Sequence, residues 1–279
     1  RTKAKFAGRR GQPLFQAYYD LAKLFRKAAV YSTTTTWVFR CGPIVGLAAV
    51  LVAVAIVPLG GVRGLGAFAG DLFLLAYVLG LMRFMTVLAA LDTGSSFEGM
   101  GASREVQFSL LAEPAFLLSL AALAICGRSA GLSDICGAWH VAAAARMAPT
   151  ALMAGVAMLM VLLAENARIP VDDPNTHLEL TLIHEVMVLD HGGVDLGFIQ
   201  YAASLKLWVF AALLTGVAMP VRTGLPMADL LCGLAGVFGV AAGVGVIESA
   251  MARLQMVRVP QMLVVANVLA VTAVLWAVR

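Results

Sequence analysis

The sequence predicts an all-α integral membrane protein with seven transmembrane helices. Three observations carry this. The chain of 279 residues is 61% apolar and 13% charged, with a mean hydropathy of +0.90, far from soluble globular composition. Seven apolar windows have the length needed to span a bilayer: 41–59, 72–91, 106–126, 147–164, 198–221, 230–247 and 259–278. The windows are almost free of charge, holding only Arg83 in the second, Glu113 in the third and Lys206 in the fifth. Hydrocarbon offers no partner to a backbone N–H or C=O, so such runs are helices. An outer-membrane barrel would show short alternating strands instead.

Residues 1–279 read as one membrane domain without a low-complexity linker. The chain opens on Arg1 in a basic stretch with no signal-peptide pattern, which suggests that a first helix precedes this numbering. Helices must alternate sides. Of the 20 Lys and Arg, Arg63, Arg128, Arg146, Arg222 and Arg279 fall on one side; apart from the in-span Arg83 and Lys206, the others share the side of residues 1–40. The positive-inside rule puts that side, with residues 92–105, 165–197 and 248–258, in the cytoplasm. The basic N-terminal segment reads as topology and lipid headgroup contact rather than a nucleic-acid surface.

Residues 12–30 predict an amphipathic surface helix. Leu14, Ala17, Tyr18, Leu21, Leu24 and Phe25 make its apolar face, and Pro13 suits its first turn. The Gly- and Ser-rich stretch 92–105 predicts an irregular loop, and 127–147 an interfacial segment with Trp139 and His140. Within the acidic loop 165–197, Pro170 and Pro174 stop the fourth span. Asp173 before Pro174 predicts an N-cap, and Gly192–Gly193 a stop, for a helix over about 174–189. Leu178, Leu182, Val186 and Leu189 would form its apolar stripe, with Glu179 and Glu185 turned away.

Ionisable groups within a membrane are costly and mark function by default. Glu113, which precedes Pro114, lies inside the third span; Lys206 lies inside the fifth and Arg83 in the second, while Asp71, Glu165 and Glu248 stand at helix ends. Facing inward, they form a buried polar row suited to proton movement. The plainer alternative is a set of static ion pairs joining helices. Sharper motifs fail. HEVMV lacks the second His of a zincin helix, and His177, His184 and His191 recur at a seven-residue interval that is no ligand spacing on one helix. Cys41, Cys126, Cys136 and Cys232 form no CxxC, so no redox centre or metal is expected on this chain.

AENARIPVDDPNTHLEL at 164–180 resembles the signature E-x-x-R-x-P-x-D-x-x-E-x-E-x-E-L of the subunit 1 family of respiratory complex I. The matches are Glu165, Arg168, Pro170, Asp172, Glu179 and Leu180. It is still more similar to the membrane subunit of energy-converting [NiFe] hydrogenases of the formate hydrogenlyase type. RRGQPLFQAYYDLAKLF resembles that family's first cytoplasmic loop through Arg10, Gly11, Gln16, Asp20, Lys23 and Leu24. LDTGSSFEGMGASREVQFSLLAEP resembles the hydrogenase form of the glutamate-bearing helix, ending in Glu113, and ESAMARLQ the helix end at Glu248 and Arg253. The family's acidic positions inside the motif are Asn175 and His177 here, which weighs against quinone reduction.

The resemblance implies eight helices, the first of them missing here. It implies a cytoplasmic-membrane subunit, bacterial or archaeal, that couples redox chemistry to proton or sodium translocation. Arg168, Asp172, Asp173, His177, Glu179 and Glu185 would dock the soluble redox arm. Glu113, Glu165, Asp71, Lys206, Glu248 and Arg83 would carry the coupling. The [NiFe] centre and iron–sulfur clusters would sit on partners: hydrogenase-like large and small subunits and a ferredoxin-like subunit, beside antiporter-like membrane subunits. The alternatives are a quinone-reactive complex I subunit proper, a stand-alone secondary ion transporter, or a structural anchor.

Overall fold

The computed structural model describes residues 2–6, 8, 10–137, 141–172, 182–219 and 225–279, and at 137 and 141–146 the backbone alone. Among these residues there are ten α-helices. Seven are long and apolar enough to cross a membrane: α3 (Trp37–Ile56), α4 (Asp71–Asp92), α5 (Ser96–Gly127), α7 (Val141–Glu165), α8 (Gly193–Ala218), α9 (Pro226–Ala250) and α10 (Arg258–Val278). They correspond one to one with the seven predicted windows. Three short helices, α1 (Thr2–Phe6), α2 (Gln16–Phe25) and α6 (Leu132–Gly137), lie outside the spans.

The connections at 26–36, 93–95 and 251–257, with residues 166–172 and 182–192, gather at one end of the bundle, and side chains stitch them together. Thr36 caps α3 by accepting from Val38 N at 3.2 Å. Its own N–H and hydroxyl donate to Asp92 at 2.6 and 2.8 Å, tying the start of α3 to the end of α4. Small residues then let α3 and α4 close up, since a Cβ on Gly42 would sit 2.9 Å from the Ala89 Cβ. α5 carries Pro114 without breaking. Three residues before it, Asn267 Nδ2 of α10 donates to the Leu111 carbonyl at 2.7 Å and ties α10 to α5. The core is built from residues such as Leu75, Ala115, Leu162, Val209 and Leu263, while Leu110, Leu152 and Phe238 stay exposed on the outside of the bundle.

Three local expectations need correction. The stretch 92–105 is not an irregular loop, because α5 starts at Ser96 and makes it helical. Gly101 lies where a Cβ would be 3.0 Å from the Ile183 carbonyl, so the small residues serve close packing rather than a turn. The surface helix is shorter than 12–30. Pro13 precedes it, accepting from Gln16 N at 3.2 Å, and it ends at Phe25, where the chain turns past Gly193 at the start of α8. The predicted helix over 174–189 has Asp173 and 174–181, with His177 and Glu179, outside the described residues. Residues 182–189 form turns around a 3-10 segment, Val186–Val188. Tertiary partners take their backbone groups: Asp172 accepts from Ile183 N and His184 N at 3.0 and 3.4 Å, and Arg104 donates to the Leu182 carbonyl at 3.1 Å. Buried here are Leu182, Ile183, Val186 and Met187, while Leu189 of the expected stripe is exposed.

Candidate functional site

The charges inside the spans converge on Arg83. This residue lies nine positions before the end of α4, about 13 Å into the bundle. A buried guanidinium presents five donors in a fixed fork and stays charged, so it organises carboxylates around its edge. Its Nη2 meets Glu165 Oε1 at 2.5 Å, its Nη1 pairs with Glu113 Oε1, and its Nε lies 3.5 Å from Glu105 Oε1. Glu165 ends α7, and its other oxygen is 2.7 Å from Lys206 Nζ of α8. Lys206 also donates to the Glu165 carbonyl at 2.8 Å, capping the helix end. The Lys206 and Glu165 side chains are each 5% exposed and that of Arg83 is 10% exposed; only Glu113, at 52%, is open.

Glu113 opens onto a cavity of about 840 Å³ along α4 and α5, lined by apolar groups including Leu72, Phe73, Tyr77, Phe116 and Phe210. With every group ionised, two cations face three carboxylates. That is one negative charge in excess, in surroundings where an unpaired charge is expensive. The arrangement can therefore hold an extra proton or cation, and gaining or losing it would shift the partners of Arg83.

A second chain of pairs runs across the end of the bundle. Glu248 of α9 lies 3.5 Å from Arg168 and 3.9 Å from Lys3, and Arg253 pairs with Asp172 at 3.1 Å. Asp71 does not join either group. It stands at the opposite end of α4, fully buried, accepting from Leu132 N at 2.7 Å. In the first-loop motif, Gln16 donates to Asp20 at 2.9 Å, and Arg10 and Lys23 are exposed. Glu185 is partly buried beside the 3-10 segment.

Sequence reasoning missed Glu105, His184, Glu98 and the His191 site. Glu105 precedes Glu113 by eight residues, so both face Arg83 once α5 is recognised from Ser96. Ser95 and Glu98 have the spacing of a capping box, which was the available signal. In the structure Glu98 is fully buried and accepts from Asp190 N at 3.1 Å instead. His184 Nδ1 lies 3.3 Å from Glu105 Oε2. His191 is buried and stacked on Phe39, with ring centroids 3.9 Å apart. Burial pushes its pKa below the usual imidazole value, against the opposing pull of Asp195 and Asp190.

Comparison with known proteins adds relatives to this geometry. The sequence profile of the NADH dehydrogenase family matches residues 1–278. Hydrogenase-4 component C of Escherichia coli is 33% identical over 218 residues, covering 78% of this chain and 68% of that protein. Formate hydrogenlyase subunit 4 of the same organism is 29% identical over 267 residues, covering 93% and 85%. Among solved structures, a chain of the membrane-bound sulfane sulfur reductase, an archaeal respiratory membrane complex, superposes with a TM-score of 0.80. It is 22% identical and covers 98% of this chain and 90% of its own.

Proposed function

This chain belongs to the NADH dehydrogenase family and is a multi-pass membrane subunit of a complex I-like or hydrogenase-like respiratory complex, and we propose that within it the chain couples redox chemistry on a soluble arm to proton or sodium translocation. The single observation behind this reading is the Arg83 cluster, with five charged side chains from four helices meeting inside the bundle. A membrane anchor needs no such investment of desolvation, because apolar packing of similar volume is equally or more stable. The connections at the charged end, with Asp172 and Arg168 tied to Arg253 and Glu248, form the platform on which the arm docks. That end faces the cytoplasm by the positive-inside rule. Similarity to two hydrogenase components favours hydrogenase-like large and small subunits and a ferredoxin-like subunit as the arm, carrying the [NiFe] centre and iron–sulfur clusters, beside antiporter-like membrane subunits.

The test is Glu113→Gln in the intact complex. Glutamine nearly matches glutamate in shape but cannot exchange a proton near neutral pH. Protons taken up by sealed vesicles per redox turnover should fall by about tenfold or more. A normal ratio in an assembled complex would reduce Glu113 to a static ion pair and remove the support for coupling. A stand-alone transporter would instead keep translocating after the soluble subunits are stripped from the membrane.

A further inference from the structure

We propose that His184 is the residue through which protons pass between the loop surface and the buried Arg83 cluster, with Glu105 as the acceptor. The inference rests on the coupling reading above and names a proton inlet for it. His184 is the one imidazole in contact with a cluster carboxylate among the described residues, with Nδ1 3.3 Å from Glu105 Oε2. The other oxygen of Glu105 faces Arg83 Nε at 3.5 Å. The two ends of this link differ in access. The His184 side chain is 34% exposed, while those of Glu105 and Arg83 are 9% and 10% exposed. A titratable ring therefore touches solvent on one side and a buried carboxylate on the other.

The backbone is held so that the ring stays there. His184 N donates to Asp172 Oδ2 at 3.4 Å, Ile183 N donates to the same oxygen at 3.0 Å, and Arg253 grips the opposite oxygen at 3.1 Å. Arg104 holds the preceding turn through the Leu182 carbonyl. Glu105 from α5 thus faces the ring, while Arg104 from α5, Asp172 with Arg253 from the end of the bundle and Glu185 next in the chain are the charged groups about its backbone.

The charge count gives the link a purpose. Arg83 and Lys206 face Glu105, Glu113 and Glu165, leaving one negative charge unbalanced. An imidazolium at His184 balances it. In the transfer step, a hydronium at the loop surface gives its proton to Nε2 of the neutral ring and leaves as water, while the Nδ1–H bond breaks and an O–H bond forms on Glu105 Oε2. Glu105 becomes a neutral acid, and the net change is one proton gained. Arg83 cannot release a proton, so it responds by shifting its hold from Glu105 toward Glu113 and Glu165.

The test uses the intact complex in sealed vesicles, measuring protons moved per redox turnover for His184→Gln and Glu105→Gln. His184→Gln should lower the ratio by about tenfold or more, and imidazole on the loop side should restore it severalfold. Glu105→Gln should lower the ratio and abolish the imidazole rescue. Restoration by a soluble base separates proton transfer from mere positioning. A normal ratio in His184→Gln, or a lowered ratio that imidazole leaves unchanged, overturns the proposal. If His184→Gln does not assemble, His184→Asn is measured in its place on the same criteria. When Glu113→Gln lowers the ratio but His184→Gln does not, only this proposal fails; when neither does, the coupling reading fails as well.

Discussion

Replacing Lys206 by methionine should destabilise the bundle in a way that acid relieves. Methionine keeps the unbranched chain but removes the cation 2.7 Å from Glu165 Oε2 and the donor 2.8 Å from the Glu165 carbonyl. Both side chains are 5% exposed, so solvent does not screen the loss. Removing one partner of a buried pair costs about 3–5 kcal/mol. Arg83 still holds the other oxygen at 2.5 Å, which favours the lower end, about 3 kcal/mol. At about 2–4 °C per kcal/mol, the apparent Tm should fall by about 6–12 °C. The readout specific to this chain is alkylation of Cys136, which is buried at 6% exposure, followed by mass spectrometry along a thermal ramp of the intact complex. The excess negative charge of the cluster rises by one in the variant, so proton uptake relieves it. The Tm gap should be larger at pH 8 than at pH 5.5. Adding Glu165→Gln should recover part of the loss, with a coupling of about 1–3 kcal/mol. A gap that stays under about 2 °C at both pH values would show that the pair contributes no net stability and sink the reasoning.

Gly101→Val should push residues 182–188 off α5, because the first added carbon sits 3.0 Å from the Ile183 carbonyl and the Met187 Cγ. A loss of about 1–3 kcal/mol and faster proteolysis within that segment are expected, and unchanged cleavage would argue against the packing. His191→Phe should flatten the acid side of the stability profile. Burial lowers the folded-state pKa of His191, so its contribution is full above about pH 6.5 and shrinks as pH falls toward the folded-state value. Thermal ramps at pH 7.5 and 5.5 should show a smaller difference in the variant, and an equal difference would assign the acid sensitivity elsewhere.

The seven spans and their alternation were legible in the sequence because each depends on local composition. Twenty apolar residues must be helical in hydrocarbon whatever surrounds them. Arg83, Glu113, Glu165 and Lys206 stood out for the same reason, as charges where a membrane segment cannot carry them unpaired. What the sequence left open was which of them meet. Those contacts join α4, α5, α7 and α8 across separations of 30, 41 and 82 residues, and only helix rotation and packing decide them. Asp71 was indistinguishable from its neighbours as a buried acid, yet it lies at the other end of α4 with Leu132 as its donor. Glu105 looked like loop because its glycines and serines match turn composition. Only the contact of Gly101 with Ile183 shows that they serve close packing. The segment at 182–189 fails as a helix for the reverse reason. Its apolar spacing permits one, but Asp172 and Arg104 offer its backbone stronger partners than its own next turn. Local pattern thus marked the charges that fall inside the spans, and tertiary packing alone decided which groups, Glu98 and Glu105 among them, are buried and which share a site.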